Sequence, residues 1–361
     1  MEGIRFQIIN EEGRKTAKNC LNWLYPRAFR TIEFDKEAAM KGFWIKRFWA
    51  PVLVCFFFGS AADGAEKIRI AVTNYNITYL SAAVAAKKGF FRDEGLDPDL
   101  IVVRSNVSIS ALVSGHIDYT MVFSAVVRAA IRGAPVRVVA TFIDSPTYVM
   151  IGRPGIATVK DLRNGKIAVG SYGSSGHLVA QLIMKHFGID PDKEVKIVAL
   201  GDDGARLTAL NGGVVDGALV APPSDSEGIK MGFNMLVRAN EIVKFPYMGL
   251  GTTVKKIADR PDQVKKVLMA LIKANQFMVK NRDDTIQILA EWAKTDKQNA
   301  AAAYDAIRKG FSPDGTIPED GLRLVIEQAK EDAKITRTIT LNEVSDLKPL
   351  REAQKDLGIN Y

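Results

Sequence analysis

The chain has 361 residues, 47% hydrophobic and 25% charged, which is ordinary for a globular protein and long enough for two domains. Its net charge of +8 would suit a nucleic-acid partner, but the lysines and arginines are spread along the chain without a basic arm, which argues against that class. The two cysteines, Cys20 and Cys55, both fall in the first part of the chain, so nothing later can form a disulfide, a thiol nucleophile or a cysteine metal site.

Residues 1–39 are mixed polar with no period and read as an extension ahead of a true start at Met40. Lys41, Lys46 and Arg47 then precede an apolar run from Phe48 to Gly59, and SAADGA supplies small residues for cleavage after Ala62 or Ala65. That order is the order of a secretory signal peptide, here over 40–65. The apolar run is shorter than the about 20 residues a spanning helix needs. Val54 before Cys55 does not suit lipid attachment.

From Lys67 strands and helices alternate. KIRIAV (67–72) predicts a strand, TNYN a loop, and ITYLSAAVAAKKGFF a helix stopped at Gly89. PDLIVVR (98–104) predicts a second strand and SISALVSG (108–115) a short helix. IDYTMVF (117–123) predicts a third strand, SAVVRAAIRG a helix, and APVRVVATFI (134–143) a fourth strand. Such alternation predicts a mostly parallel sheet flanked by helices.

The pattern then returns. KIAVGSYGSSGHLVAQLIMKHFGI (166–189) follows the first unit with a shift of 97, placing Ala71-Val72 on Ala168-Val169, Tyr75 on Tyr172 and Lys88 on Lys185. EVKIVAL (194–200) stands in for the second strand, and ALVSGHIDYTMV (111–122) meets ALNGGVVDGALV (209–220) with a shift of 98. The fold class is therefore α/β with two related lobes, each a mostly parallel sheet between helices. Crossings near 145–151 and 245–253, both with Pro or Gly beside strand-like residues, give lobe 1 as 66–146 plus 248–361 and lobe 2 as 147–247. The helices after the return, clearest over 262–280 with Val264, Val267, Leu268, Leu271 and Ile272 on one face, are expected to pack on lobe 1. Gly115 with Asp118, and Gly213 with Asp216, read as helix stops and strand starts.

In open parallel sheets ligands gather beyond the C-terminal ends of the strands. In lobe 1 those ends carry Thr73, Asn74, Tyr75 and Asn76, then Ser105 and Asn106, Phe123 and Ser124, and Asp144. In lobe 2 they carry Tyr172, Ser174, Ser175, Gly176 and His177, then Asp202 and Asp203, then Ala221 and Pro222. Two such edges facing each other make a cleft. The stretch VGSYGSSGHLVAQ (169–181) joins a strand to a helix whose first turn offers free N–H groups and a partial positive charge, with Ser174 or Ser175 as cap. It suits an anion or polar acceptor. It is not a nucleotide loop: His177 follows Gly176 where G-x-x-x-x-G-K-[ST] needs Lys, and the glycines are spaced G-x-x-G-x-x-G. Tyr75, Tyr172 and Phe123 offer faces for a planar solute, and Asp144 a partner for an amine.

Nothing assembles a catalytic group. His116, His177 and His186 have no metal-ligand spacing, GSSGH lacks the nucleophile-elbow frame, and Asp202-Asp203 are adjacent, so their carboxylates need not converge. The sequence favours binding over catalysis, with no cofactor, metal or nucleic acid.

AAKKGFFRDEGLDPDLI, SALVSGHIDYTM, TVKDLRNGKIAVGSYGSSGHLVAQLIMKHFGI, ALNGGVVDGALVAPP and IADRPDQVKKVLMALIKA, in this order from about Lys67 to Gly358, resemble the solute-binding proteins of ABC importers, in the class handling nitrate, sulfonates, taurine and thiamine precursors. The resemblance implies a periplasmic-binding-protein fold of type II, a two-segment hinge, and a periplasmic monomer that closes on a small-molecule ligand. It also implies delivery to an ABC permease driven by a cytoplasmic ATPase. Positions after Val72, Phe123 and Gly170 match places where members contact ligand. VAPPSD departs from relatives with a large aromatic in that segment. The same superfamily holds pyrimidine-synthesising enzymes with a cysteine-rich motif, which the chain after Cys55 cannot supply. A secreted sensor subunit for a signalling receptor, and an enzyme on this scaffold, are the alternatives.

Overall fold

The computed structural model describes residues 64–359; the expected extension, all but the last two residues of the expected signal peptide, and both cysteines lie outside the described residues. In chain order the first part holds β1 (Glu66–Val72), α1 (Leu80–Lys87), α2 (Phe90–Asp93), β2 (Leu96–Val102), α3 (Ser105–Val113), β3 (Tyr119–Thr120), α4 (Phe123–Ile131) and β4 (Val136–Ile143). The middle part holds β5 (Val149–Gly152), β6 (Lys166–Val169), α5 (Ser175–His186), β7 (Lys196–Ala199), α6 (Asp203–Asn211), β8 (Gly217–Val220), α7 (Ser224–Lys230) and β9 (Asn234–Arg238). After β10 (Met248–Thr253) come α8 (Val254–Asp259), α9 (Pro261–Lys280), α10 (Arg282–Ala293), α11 (Lys297–Ile307), α12 (Glu319–Ala333) and α13 (Lys348–Asp356).

The strands form two five-stranded sheets, β2-β1-β3-β10-β4 and β7-β6-β8-β5-β9, so the expected two-lobed α/β architecture is present. Within each sheet the first three strands are parallel. The strand arriving from the other sheet, β10 or β5, runs antiparallel to its neighbours, which departs from an all-parallel reading. The reason is directional. A chain leaving β4 at its C-terminal end enters the second sheet at the cleft edge and must run away from it, whereas β6, β7 and β8 run toward it. The crossings lie between β4 and β5 and between β9 and β10, so the ends of the expected hinge stretches are already strand.

The internal repeat is visible in the hydrogen bonding. Ala71 pairs with Thr120 in the first sheet and Ala168 with Ala218 in the second, the same register at shifts of 97 and 98. Gly115 and Gly213 both have positive φ (76° and 66°), closing α3 and α6. The Asp118 carboxylate accepts from the Arg69 N–H at 2.9 Å, and the Asp216 carboxylate accepts from the Lys166 N–H at 2.9 Å. The third strand is shorter than expected: β3 has two residues, the chain turns at Val122, and Phe123 opens α4. A continuous apolar run does not distinguish a buried strand from the first turn of a buried helix.

Helix α9 buries Val264, Val267, Leu268, Leu271 and Ile272 completely and packs against α1, α2 and α13. One polar group sits inside this layer. Asn275, wholly buried, donates from Nδ2 to the Phe142 and Ser312 carbonyls, both at 2.7 Å, and its Oδ1 accepts from Ser81 Oγ at 2.6 Å. It ties α9 to the end of β4, which faces the cleft. Asn275→Ala leaves the Ser312 carbonyl and the Ser81 hydroxyl without that partner in a dry core, while the Phe142 carbonyl keeps the Ser312 N–H. We expect it to cost about 3 kcal/mol, read from the urea denaturation midpoint.

Candidate functional site

Where the C-terminal edges of the two sheets meet, a cavity of about 270 Å³ opens between the lobes. The first lobe contributes Thr73, Asn74, Tyr75, Asn76, Tyr79 and Arg104 to its wall. The second contributes Tyr148, Gly170, Ser171, Ser174, Ser175 and Arg206, and the return crossing adds Tyr247. Direct hydrogen bonds hold the lobes together around it: Ile77 N–H to the Pro222 carbonyl at 3.2 Å, Thr78 to Thr147 between hydroxyls at 2.8 Å, and Ser175 Oγ to Ser124 Oγ at 3.2 Å.

The glycine- and serine-rich stretch builds one wall by turn chemistry. Gly173 adopts a left-handed φ of 71°, and Ser174 caps α5, its Oγ accepting from the His177 N–H at 3.2 Å. Gly176 allows close approach, since a Cβ there would come within 3.0 Å of the Tyr148 hydroxyl. Helix α6 starts in the same way, with Asp202 Oδ1 accepting from the Ala205 N–H at 2.8 Å. Both helices thus begin at the cavity.

The strongest charge in the cavity is Arg206, one turn into α6 and only 2% exposed. Its Nη2 donates to Asp203 Oδ1, and its Nε donates to the Asp202 carbonyl at 3.2 Å, while Nη1 has no hydrogen-bond partner. Burial opposes its charge, but Asp203 and Tyr148 outweigh burial and hold its pKa above the ordinary value. Three phenols share the space. Tyr79 bonds Thr73 at 2.6 Å, and the Tyr148 and Tyr247 rings meet edge to face at 5.7 Å. Burial raises the pKa of all three, so they are neutral donors at ordinary pH.

Of the residues singled out from sequence, Thr73, Asn74, Tyr75, Asn76, Ser105, Ser174, Ser175 and Asp202 line the cavity. The others lie outside its lining. Phe123 is wholly buried and turned toward the sheet, where a Cβ on Gly249 would stand 2.7 Å from its ring. Ser124 reaches Ser175 across the lobes, and Ala221 N–H donates to Asp203 at 3.2 Å. Pro222 supplies its carbonyl to the interlobe contact with Ile77. Asn106 is exposed on α3, and Asp144 turns aside to accept from Ser145 Oγ at 2.9 Å. Tyr172 is 59% exposed, with its hydroxyl on the Ile197 carbonyl at 3.0 Å. Gly176 and His177 stand behind the wall, with His177 edge-on to Tyr172.

Sequence reading missed Arg206, Tyr79, Tyr148 and Tyr247. The first lies a turn inside a helix, Tyr148 lies in a crossing assigned to hinge, and only the spacing Asp203-x-x-Arg206 on one helix face signalled a pair. His177 has a separate consequence. Burial, and then Arg128, push its pKa below the ordinary value, and the Gly173 N–H donates to Nδ1 at 3.2 Å, which favours the neutral ring. An unfolded histidine titrates near about 6.5. Below that pH the unfolded state binds the proton and the folded state resists, so stability falls as pH falls. In urea denaturation at about pH 7.5 and about pH 5.5, wild type should lose more stability than His177→Gln.

Comparison with known proteins agrees with this architecture. The Bacillus subtilis protein YtlA is 23% identical over 290 residues, covering 77% of this chain and 87% of YtlA. The Candida albicans 4-amino-5-hydroxymethyl-2-methylpyrimidine phosphate synthase is 26% identical over 223 residues, covering 56% of this chain and 63% of the synthase. Among solved structures, the periplasmic nitrate-binding protein NrtA of Synechocystis superposes with a TM-score of 0.69 at 14% identity, covering 82% of this chain and 90% of NrtA. The fold is the two-lobed fold of periplasmic binding proteins, and the relatives include both binding proteins and an enzyme. The NMT1/THI5-like family model matches residues 76–285, more than half of the sequence, and the chain belongs to that family.

Proposed function

We propose that the chain is the extracytoplasmic solute-binding component of an ABC importer, capturing a small organic anion between its lobes and delivering it to a membrane permease driven by a cytoplasmic ATPase. The observation that carries the reading is Arg206, a buried cation among the residues that line the cavity, whose Nη1 has no hydrogen-bond partner. Such a group costs on the order of 1–3 kcal/mol or more, and a ligand acceptor removes that cost. The start of α5, which has no acidic residue in its first turn, adds partial positive charge from the same side. Exposed Arg104 at the mouth attracts anions, and the neutral phenols donate without competing for charge.

We assign Thr73, Asn74, Tyr75, Ser174 and Ser175 as ligand contacts, with Ser171, Tyr79, Tyr148, Tyr247 and Arg206. The tyrosine rings suit a flat or apolar body behind the anionic group, of sulfonate, nitrate or thiamine-precursor type. The protein acts as a periplasmic monomer after cleavage of its signal peptide, closing by hinge motion about its two crossings.

The test is a thermal-shift screen after denaturing and refolding to strip carried solute, with nitrate, sulfonates, carboxylates, thiamine precursors and flavins. A ligand at about a hundred times its Kd adds about 2.7 kcal/mol. At least one anion should raise the melting temperature, and Arg206→Met should abolish that rise. A rise that survives Arg206→Met, chemical conversion of the hit, or no rise across the panel would overturn the reading.

A further inference from the structure

Asp203 carries four hydrogen bonds, and they come from both lobes. Oδ1 accepts from Arg206 Nη2 and from the Ala221 N–H, both in the second lobe. Oδ2 accepts from Asn76 Nδ2 at 2.8 Å and Asn74 Nδ2 at 3.1 Å, both in the first. The Asn76 amide is fixed at its other end, because its Oδ1 accepts from the Thr78 N–H at 3.0 Å. A guanidinium and a carboxylate pair well through two parallel bonds. Here the acid uses only one oxygen on Arg206, since the other is taken from across the cleft.

We infer that Asn76, aided by Asn74, is a positioning residue for ligand recognition: by holding Asp203 Oδ2 when the lobes meet, it keeps the carboxylate off Arg206 Nη1 and leaves that nitrogen for the ligand. With the lobes apart, Oδ2 has no amide donors and turns to Nη1, so that acid and base satisfy each other. Closure exchanges the partner of Nη1 from Asp203 to ligand. The ligand then favours the closed form because only that form offers the nitrogen, which supplies the differential affinity a closing equilibrium requires. The inference rests on the cleft being an anion site.

Two measurements on the full chain test it, neither needing a known ligand. Asn76→Ser keeps an oxygen for the Thr78 N–H and loses the reach to Asp203; it is combined with Asn74→Ala. Hydrogen exchange at the Ile77 amide, which bonds Pro222 across the lobes, should speed up at least about tenfold in the double variant, with the Ile70 amide in β1 unchanged. A crystal structure of the double variant should show Asp203 bonded to both Nη1 and Nη2. That second bond is a readout that simple loosening of the 74–76 loop does not produce. Unchanged exchange at Ile77, or Nη1 still unpaired with Asp203, overturns the inference. If instead Arg206→Met leaves anion stabilisation intact while the double variant behaves as described, the anion reading fails and the latch between the lobes stands.

Discussion

A carboxylate taken out of water must find donors for its lone pairs or give up its charge. Asp203, 5% exposed, finds four, and they pin segments that are distant in sequence: the loop after β1, the start of α6 and the end of β8. The same carboxylate balances Arg206. Leaving a buried ion without its partner costs about 3–5 kcal/mol, so the guanidinium can occupy the cleft only because the acid sits beside it. The cleft therefore carries a cation whose charge is answered by one carboxylate, with Nη1 left unpaired.

The loop that supplies the amide donors is itself held from outside the sheet. Trp292 on α10 donates from Nε1 to the Asn76 carbonyl at 3.0 Å, and its ring meets Tyr75 edge-on at 4.7 Å. Helix α10 packs on α1, which the same loop leads into. The C-terminal helices thus set the position of the 74–76 loop as well as covering a sheet. A further link crosses the lobes at the far side, where Lys185 on α5 pairs with Glu331 on α12 at 3.0 Å. That pair is exposed at both ends and contributes little to stability, so the contacts around the cavity, the amide–carboxylate bonds among them, are the specific part of the interface.

Much of the fold was legible because each lobe writes the same signals: a β-branched run, a loop, an apolar helix, and a glycine where the helix stops. Part of the site was legible too, since Thr73, Asn74 and Tyr75 directly follow a strand end and Ser174 and Ser175 open the helix after another, where geometry alone places a ligand. Residues whose role depends on which way a side chain turns were not. Phe123 follows a strand yet turns to the sheet, and adjacent Asp202 and Asp203 divide their tasks, one capping α6 and the other entering the cleft. Tyr79, Tyr148 and Tyr247 reach the cavity from a helix approach and two crossings, where no local period distinguishes a lining residue from a core one.

The repeat itself contains the signal that was not used. Helices α3 and α6 are offset by the shift of 98 read from the sequence, which superposes Ser105 on Asp203 and Ser108 on Arg206. In the first lobe the pair is neutral and self-contained, Ser108 Oγ donating to the Ser105 carbonyl at 2.9 Å. In the second lobe the same two places carry the buried acid and base. Where the units agree, as at Gly115 and Gly213 or Asp118 and Asp216, the shared chemistry closes a helix and anchors a strand, which both lobes need equally. A single ligand in the cleft presents different faces to the two lobes, and a closing contact needs an acceptor on one side and donors on the other. The positions at which two copies of one scaffold must differ are therefore those that meet the ligand or each other, and Asp203 with Arg206 opposite Asn74 and Asn76 is such a set.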